Sequence, residues 1–330
     1  MKFTVDPWDP TYGTSVDAEM GASTAEIATD VETPAARWAP VPPSPGLLPP
    51  AAVLFVDGVR RVDAQVWVDE GDGSVSPGLC ASYAAGVVCC CADGGAHLTE
   101  VAVRRSLVTT SSAAEQVVTA AGAYAVVAAG TSRSAGAPIQ ILSAALQLDL
   151  AKTEAEVAVL ARQGHPGADR EPDPSRASRA GEDDLLVVDG PLRGRHPLPR
   201  AIGFVKSHRS SYLPAALGAV VGELDAGRRT PVFRIEDTYP AYSWYLRLPG
   251  ASAAPWAGVV RVECGGELTA TAAVALADLS QATLVRYASA EYKDSRAPQN
   301  LYPIAGLERG LRRRLGEPAL LYRALRAAAA

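Results

Sequence analysis

The sequence predicts a mixed α/β fold, a sheet flanked by helices and preceded by a proline-rich arm, and three observations carry that prediction. Strand-like segments separated by Gly and Asp clusters follow one another from Ala52 to Thr109. Two Ala-rich stretches then lead to a further apolar run at Asp184 to Asp189, a spacing that fits a helical crossover. The second half alternates strand-like and helical patterns until an arginine-rich end.

The arm is residues 1–50. It holds seven acids against Lys2 and Arg37, is rich in Pro, Ala and Thr, and ends in Pro42-Pro43-Ser44-Pro45 and Pro49-Pro50. Such a composition builds no core of its own, so it predicts an arm lying along a main domain of residues 51–330. Trp8 and Trp38 predict where it docks, because large aromatics in a polar segment pack on an apolar surface. The arm carries the whole formal charge of −5, which leaves the main domain balanced.

Within that domain, Ala52–Asp57, Ala64–Val68, Gly78–Cys91 and Leu98–Thr109 read as strands whose short connections favour antiparallel pairing. Ser111–Ala129 and Pro138–Arg162 are Ala-rich with helical spacing of apolar residues. After the polar stretch Gln163–Glu182, Asp184–Asp189 predicts a core strand parallel to its neighbour. Then come a strand at Ala201–Lys206, a helix at Pro214–Leu224, and strands at Pro231–Glu236, Ser243–Leu248 and Gly258–Glu263. A helix at Leu268–Tyr287 and a helix pair over Glu308–Arg326 complete the chain, with no repeat of fixed period.

Composition excludes several classes. No run approaches the roughly 18–20 apolar residues of a membrane span, and Met1-Lys2-Phe3-Thr4-Val5-Asp6 lacks the basic-then-apolar order of a signal peptide. A cytoplasmic protein with no membrane partner is the expectation. Of five cysteines, Cys89, Cys90 and Cys91 are adjacent in an apolar run, where successive side chains point to opposite faces. They predict small buried hydrophobes, with neither a zinc site nor a disulfide framework. No His-Glu-x-x-His, Gly-x-Ser-x-Gly or Gly-x-x-x-x-Gly-Lys motif occurs, which leaves zinc-protease, α/β-hydrolase and nucleotide-cradling readings without support.

What remains is carboxylate chemistry. Phe55-Val56-Asp57-Gly58 and Val187-Val188-Asp189-Gly190 are apolar runs that end in Asp-Gly. Each aspartate is expected where a strand leaves the core, a position that serves either an ordinary turn or a divalent-cation ligand. Glu154 and Glu156, on the helix before the second run, are candidate further ligands. Lys206, one of four lysines, ends the next strand, where a point charge suits a scissile phosphate. His208 is a candidate proton carrier or ligand, and His97, His165 and His196 lack partner spacing. Arg309, Arg312, Arg313, Arg314, Arg323 and Arg326 stand against Glu308 and Glu317, a basic patch able to hold phosphates or to serve as a solvated helix face.

In their order these pieces resemble the NurA nuclease family. The motifs are Val56-Asp57-Gly58-Val59-Arg60, an acidic helix, Val188-Asp189-Gly190-Pro191-Leu192, Val205-Lys206-Ser207 and a Tyr-Pro segment in Pro298-Gln299-Asn300-Leu301-Tyr302-Pro303-Ile304, together spanning residues 50–315. The resemblance implies a ribonuclease-H-like core, Mn²⁺-dependent (Mg²⁺ as the alternative) cleavage of DNA as a 5′-to-3′ exonuclease and single-strand endonuclease, a homodimer, and a HerA-type hexameric ATPase partner in DNA end resection. By that likeness Asp57 and Asp189 are the principal metal ligands, Glu154 or Glu156 the helix carboxylate and Tyr302 the active-site tyrosine, while the Lys206 charge is the catalytic group suited to stabilise the transition state. Arg60, Arg309, Arg312 and Arg313 would contact DNA. One departure stands out: eight residues after the Tyr-Pro tyrosine the family pattern has histidine, and this chain has Gly310, with Glu308 the nearest metal-capable group. A catalytically weakened DNA-binding or scaffold subunit is the alternative reading.

Overall fold

The structure is a computed structural model, and it describes residues 16–91, 94–130, 137–163, 184–192, 198–250 and 254–329. Trp8, His165 and His196 lie outside them. The chain divides into two compact units, one of Met1–Phe55, Val88–His97 and Glu171–Ala305, the other of Val56–Val87, Leu98–Arg170 and Gly306–Ala330.

The first unit is built on a mixed sheet. Its strands are β2 (Glu26–Ala28), the first residues of β3 (Ala52–Asp69), β8 (Asp184–Asp189), β9 (Ala201–Val205), β11 (Phe233–Glu236), β12 (Ala241–Arg247) and β13 (Val259–Gly265), in the order β2-β11-β12-β13-β9-β8-β3. From β2 to β9 the pairing is antiparallel, and β8 and β9 run parallel, with Asp189 opposite Phe204. Apolar residues alternate across it. On one face Phe55, Val187, Phe204, Trp244, Leu246 and Val262 pack under helix α3 (Ala270–Leu284) through Ala273, Ala277 and Leu284. On the other, Phe233, Tyr245 and Val259 pack with Val220 and Val221 of α2 (Ala215–Gly222). Each fully buried side chain of the Phe or Leu class contributes about 1.5–3 kcal/mol.

The arm belongs to this unit. β1 (Val16–Ala22) pairs parallel with β10 (His208–Ser211), β2 extends the sheet edge, and Trp38 is buried against Phe233 at 6.2 Å. Arg229, 1% exposed, pairs with Glu32 of the arm at 2.8 Å and with Asp278 of α3 at 2.6 Å. Burial opposes the Arg229 charge, and the two carboxylates outweigh it and hold its pKa above the ordinary value.

The second unit carries β3, β4 (Val75–Cys91), β5 (Gly95–Thr109), β7 (Gly122–Ala128) and β6 (Val117–Thr119) in that order. Its helices are α1 (Pro138–Arg162), the later part of α4 (Tyr302–Arg314) and α5 (Pro318–Ala328). Cys80, Leu107, Tyr124 and Leu325 form one core cluster. Arg61 and Arg105 donate to the Leu315 carbonyl and Arg61 to the Gly316 carbonyl, which satisfies backbone acceptors at the end of α4.

Two expectations change here. Ala52–Asp57 and Ala64–Val68 are parts of one 18-residue strand, so Asp57-Gly58 lies inside β3 and makes no turn. Ser111–Ala129 is not helical: it holds β6 and β7, joined as a hairpin with Gly122 at φ 124°. Val117, Val118, Tyr124, Val126 and Val127 are strand formers that outweigh the alanines. The mixed sheet and flanking helices match the predicted class, and among the described residues no helix is long and apolar enough to cross a membrane.

Candidate functional site

Asp189 ends β8, and its neighbours are set by the parallel register with β9. Gly190, at φ 98°, turns the chain away and its amide donates to the Phe204 carbonyl at 2.8 Å. Glu263 then fixes the following backbone by accepting from the Leu192 amide at 2.7 Å, while Arg261 holds Glu263 at 2.5 Å. Gly203 completes the turn, since a Cβ there would lie 2.8 Å from the Gly190 carbonyl oxygen.

Lys206 follows the last residue of β9. Its Nζ donates to Asp189 Oδ2 at 2.7 Å and to Asn300 Oδ1 at 3.1 Å, and the Asn300 amide donates to Asp294 at 2.8 Å. Asn300 is fully buried, and the Asp189 and Lys206 side chains are 12% and 13% exposed. A carboxylate and an ammonium thus stand together at the strand ends, oriented by a buried amide. Sequence reasoning missed Asn300 and Asp294 as partners; the signal was the polar pair Gln299-Asn300 followed by an apolar helix start.

In the second unit Asp57 is 6% exposed on β3, and its Oδ1 accepts from the Gly58 amide at 2.7 Å. Glu154 is 4% exposed because it falls on the buried stripe of α1 with Leu146, Leu150 and Val157. That stripe meets β3 at Gly58, where a Cβ would lie 2.6 Å from Glu154 Oε1 and 2.7 Å from Leu150 Cδ1. Glu156, two residues on, projects from another face, is half-exposed and pairs with Arg104 of β5. Glu308 is half-buried on α4.

The remaining candidates are dispersed. The Tyr302 hydroxyl accepts from the Ala290 amide at 3.1 Å, and the Lys293 ammonium lies 5.5 Å from its ring centre. Arg60 is exposed and 3.4 Å from the Ser143 hydroxyl, and Arg309, Arg312 and Arg313 are exposed along α4. His208 is 4% exposed, packs against Tyr245 and Trp256, and its Nε2 lies 3.0 Å from the Val259 carbonyl. Burial pushes its pKa down to about 4. At Gly310 an added Cβ would meet only Arg314 Nη1, at 3.8 Å.

All five cysteines are free, and Cys80, Cys89 and Cys264 are buried. Alternation separates Cys90 from its neighbours, yet it also puts Cys89 and Cys91 on one face, and His97 joins them from the return strand. No protein-family model matches this chain, and neither does any curated protein.

Proposed function

We propose that this chain is a Mn²⁺-dependent deoxyribonuclease, in line with its resemblance to the NurA family. The observation that supports this reading most is the Asp189-Lys206-Asn300 chain, which holds an acid and a cation side by side at adjacent strand ends. Asp57, Asp189, Glu154 and Glu308 offer only carboxylate oxygens, the donor type that suits Mn²⁺ or Mg²⁺, and none of the four is fully exposed. In the proposal Glu154, not Glu156, is the helix carboxylate, because Glu156 is engaged by Arg104.

When bound, the ion would supply an attacking hydroxide at neutral pH and neutralise charge on the phosphate. Asp57 and Asp189 would hold it, with Glu154 and Glu308 completing the carboxylate set. Lys206, kept in place by Asn300, would present a fixed positive charge to a non-bridging phosphate oxygen as negative charge builds there. The exposed arginines of α4 would hold the DNA backbone, which makes binding salt-dependent. The resemblance alone extends the proposal to a ribonuclease-H-like core, a catalytic Tyr302, a cytoplasmic homodimer, 5′-to-3′ exonuclease and single-strand endonuclease modes, and a HerA-type ATPase partner in end resection.

Gly310 favours the second reading, a weakened DNA-binding or scaffold subunit, because the helix offers no ligand where the resemblance calls for histidine. Labelled single- and double-stranded DNA incubated with the full chain and Mn²⁺ separates the two. The nuclease reading expects cleavage that chelator and Asp189→Asn abolish, and a fall of about 10²–10³-fold in Lys206→Ala. Salt-sensitive binding without cleavage would overturn it in favour of the scaffold.

A further inference from the structure

The hairpin ends of β4 and β5 carry donors that the nuclease reading does not use. Cys89, Cys91 and His97 each place a ligand atom within 4.8 Å of the others. We propose that these three residues form a zinc site that clips this hairpin, separate in donor chemistry from the carboxylates. Two thiolates and an imidazole are the donors that select zinc over Mn²⁺ or Mg²⁺. A tetrahedral zinc about 2.3 Å from sulfur and about 2.1 Å from nitrogen needs donors roughly 3.5–3.8 Å apart, and the three donors already lie within 4.8 Å of one another with the His97 ring exposed.

The surroundings are those of a ligand shell. The Gly94 amide donates to Cys91 Sγ at 3.3 Å, which orients that sulfur toward the site. His97 Nδ1 lies 3.3 Å from the Gly95 carbonyl oxygen, and in the tautomer that donates there Nε2 keeps its lone pair for a cation. Glycine at 94 provides the room: a Cβ would stand 3.0 Å from His97 Cε1 and 3.3 Å from Cys91 Sγ. Three protein ligands leave the fourth position to water. Zinc binding to the two cysteines would release their thiol protons.

Cobalt(II) titration of the reduced full-length chain tests this. The expected result is one equivalent of cobalt with thiolate charge-transfer absorption and the visible bands of tetrahedral coordination, displaced by zinc. Cys91→Ser and His97→Ala should lose those bands, whereas Cys90→Ser and Asp57→Asn should keep them. His97 is exposed, so its variant keeps the test meaningful if the Cys91 variant misfolds. Absence of thiolate bands in the wild-type chain, or their full retention in His97→Ala, would overturn the proposal. So would a Cys89–Cys91 disulfide that persists in reductant. Cobalt bound by the wild-type chain without thiolate bands, and lost in Asp57→Asn, would instead place the ion at the carboxylates and overturn it too.

Discussion

Asp57-Gly58 and Asp189-Gly190 have the same two residues after the same kind of apolar run, yet the glycines are needed for unlike reasons. Gly58 lies inside a strand, and its missing side chain admits Glu154 and Leu150 of α1. Gly190 ends a strand, has open space around its Cβ position, and is needed for φ 98°. One glycine provides room beside an acid and the other provides a turn after one. The lesson is that a dipeptide motif fixes neither the backbone nor the neighbours of its aspartate; the packing element does, α1 in one case and β9 in the other.

The largest expected effect is on acid stability near the second segment. His208 lies on β10, shortly after Lys206, with a folded pKa of about 4 against an ordinary 6.5. Between those values the unfolded chain binds the extra proton, so stability is full above about pH 6.5 and falls as pH drops toward 4, by about 3 kcal/mol in total. Urea titrations across that window should show the loss, and His208→Gln should flatten it; an unchanged slope would mean that His208 is solvated.

Next in size is Gly58→Ala, expected to cost about 1–3 kcal/mol by overpacking. Adding Leu150→Ala should recover part of that cost, a coupling that thermal unfolding of the single and double variants measures. Additive losses would show that Gly58 is needed for its backbone instead. Gly190→Ala should cost less, about 1–2 kcal/mol from the positive φ, and Gly190→Asn less again, since asparagine tolerates that region. A cost that climbs with side-chain volume at residue 190 would erase the distinction between the two glycines.

Much of the architecture was legible because periodicity survives in long elements. The buried stripe of α1 and the all-apolar β8 are plain in the sequence, and Pro138–Arg162 and Asp184–Asp189 match their predicted bounds. Ser111–Ala129 was not, since alanine count concealed a valine-rich hairpin. Asp57-Gly58 was misplaced because a glycine inside a strand, where another side chain approaches closely, reads the same as a turn glycine. The Asn300 contact to Lys206 joins residues 94 positions apart, which no local pattern encodes. Adjacent cysteines hid a same-face pair, visible only once the return strand brings His97 alongside.

The proposed reading, which rests on the resemblance, makes Asp57 and Asp189, so unlike in local setting, ligands of one Mn²⁺ centre. Its most direct test is Mn²⁺ binding to the wild-type chain, Asp57→Asn, Asp189→Asn and the double variant, followed by the paramagnetic resonance of free Mn²⁺. One shared centre predicts that each single substitution removes most of the affinity and that the double variant loses little more. Independent, additive losses, or binding unaffected by either substitution, would contradict it.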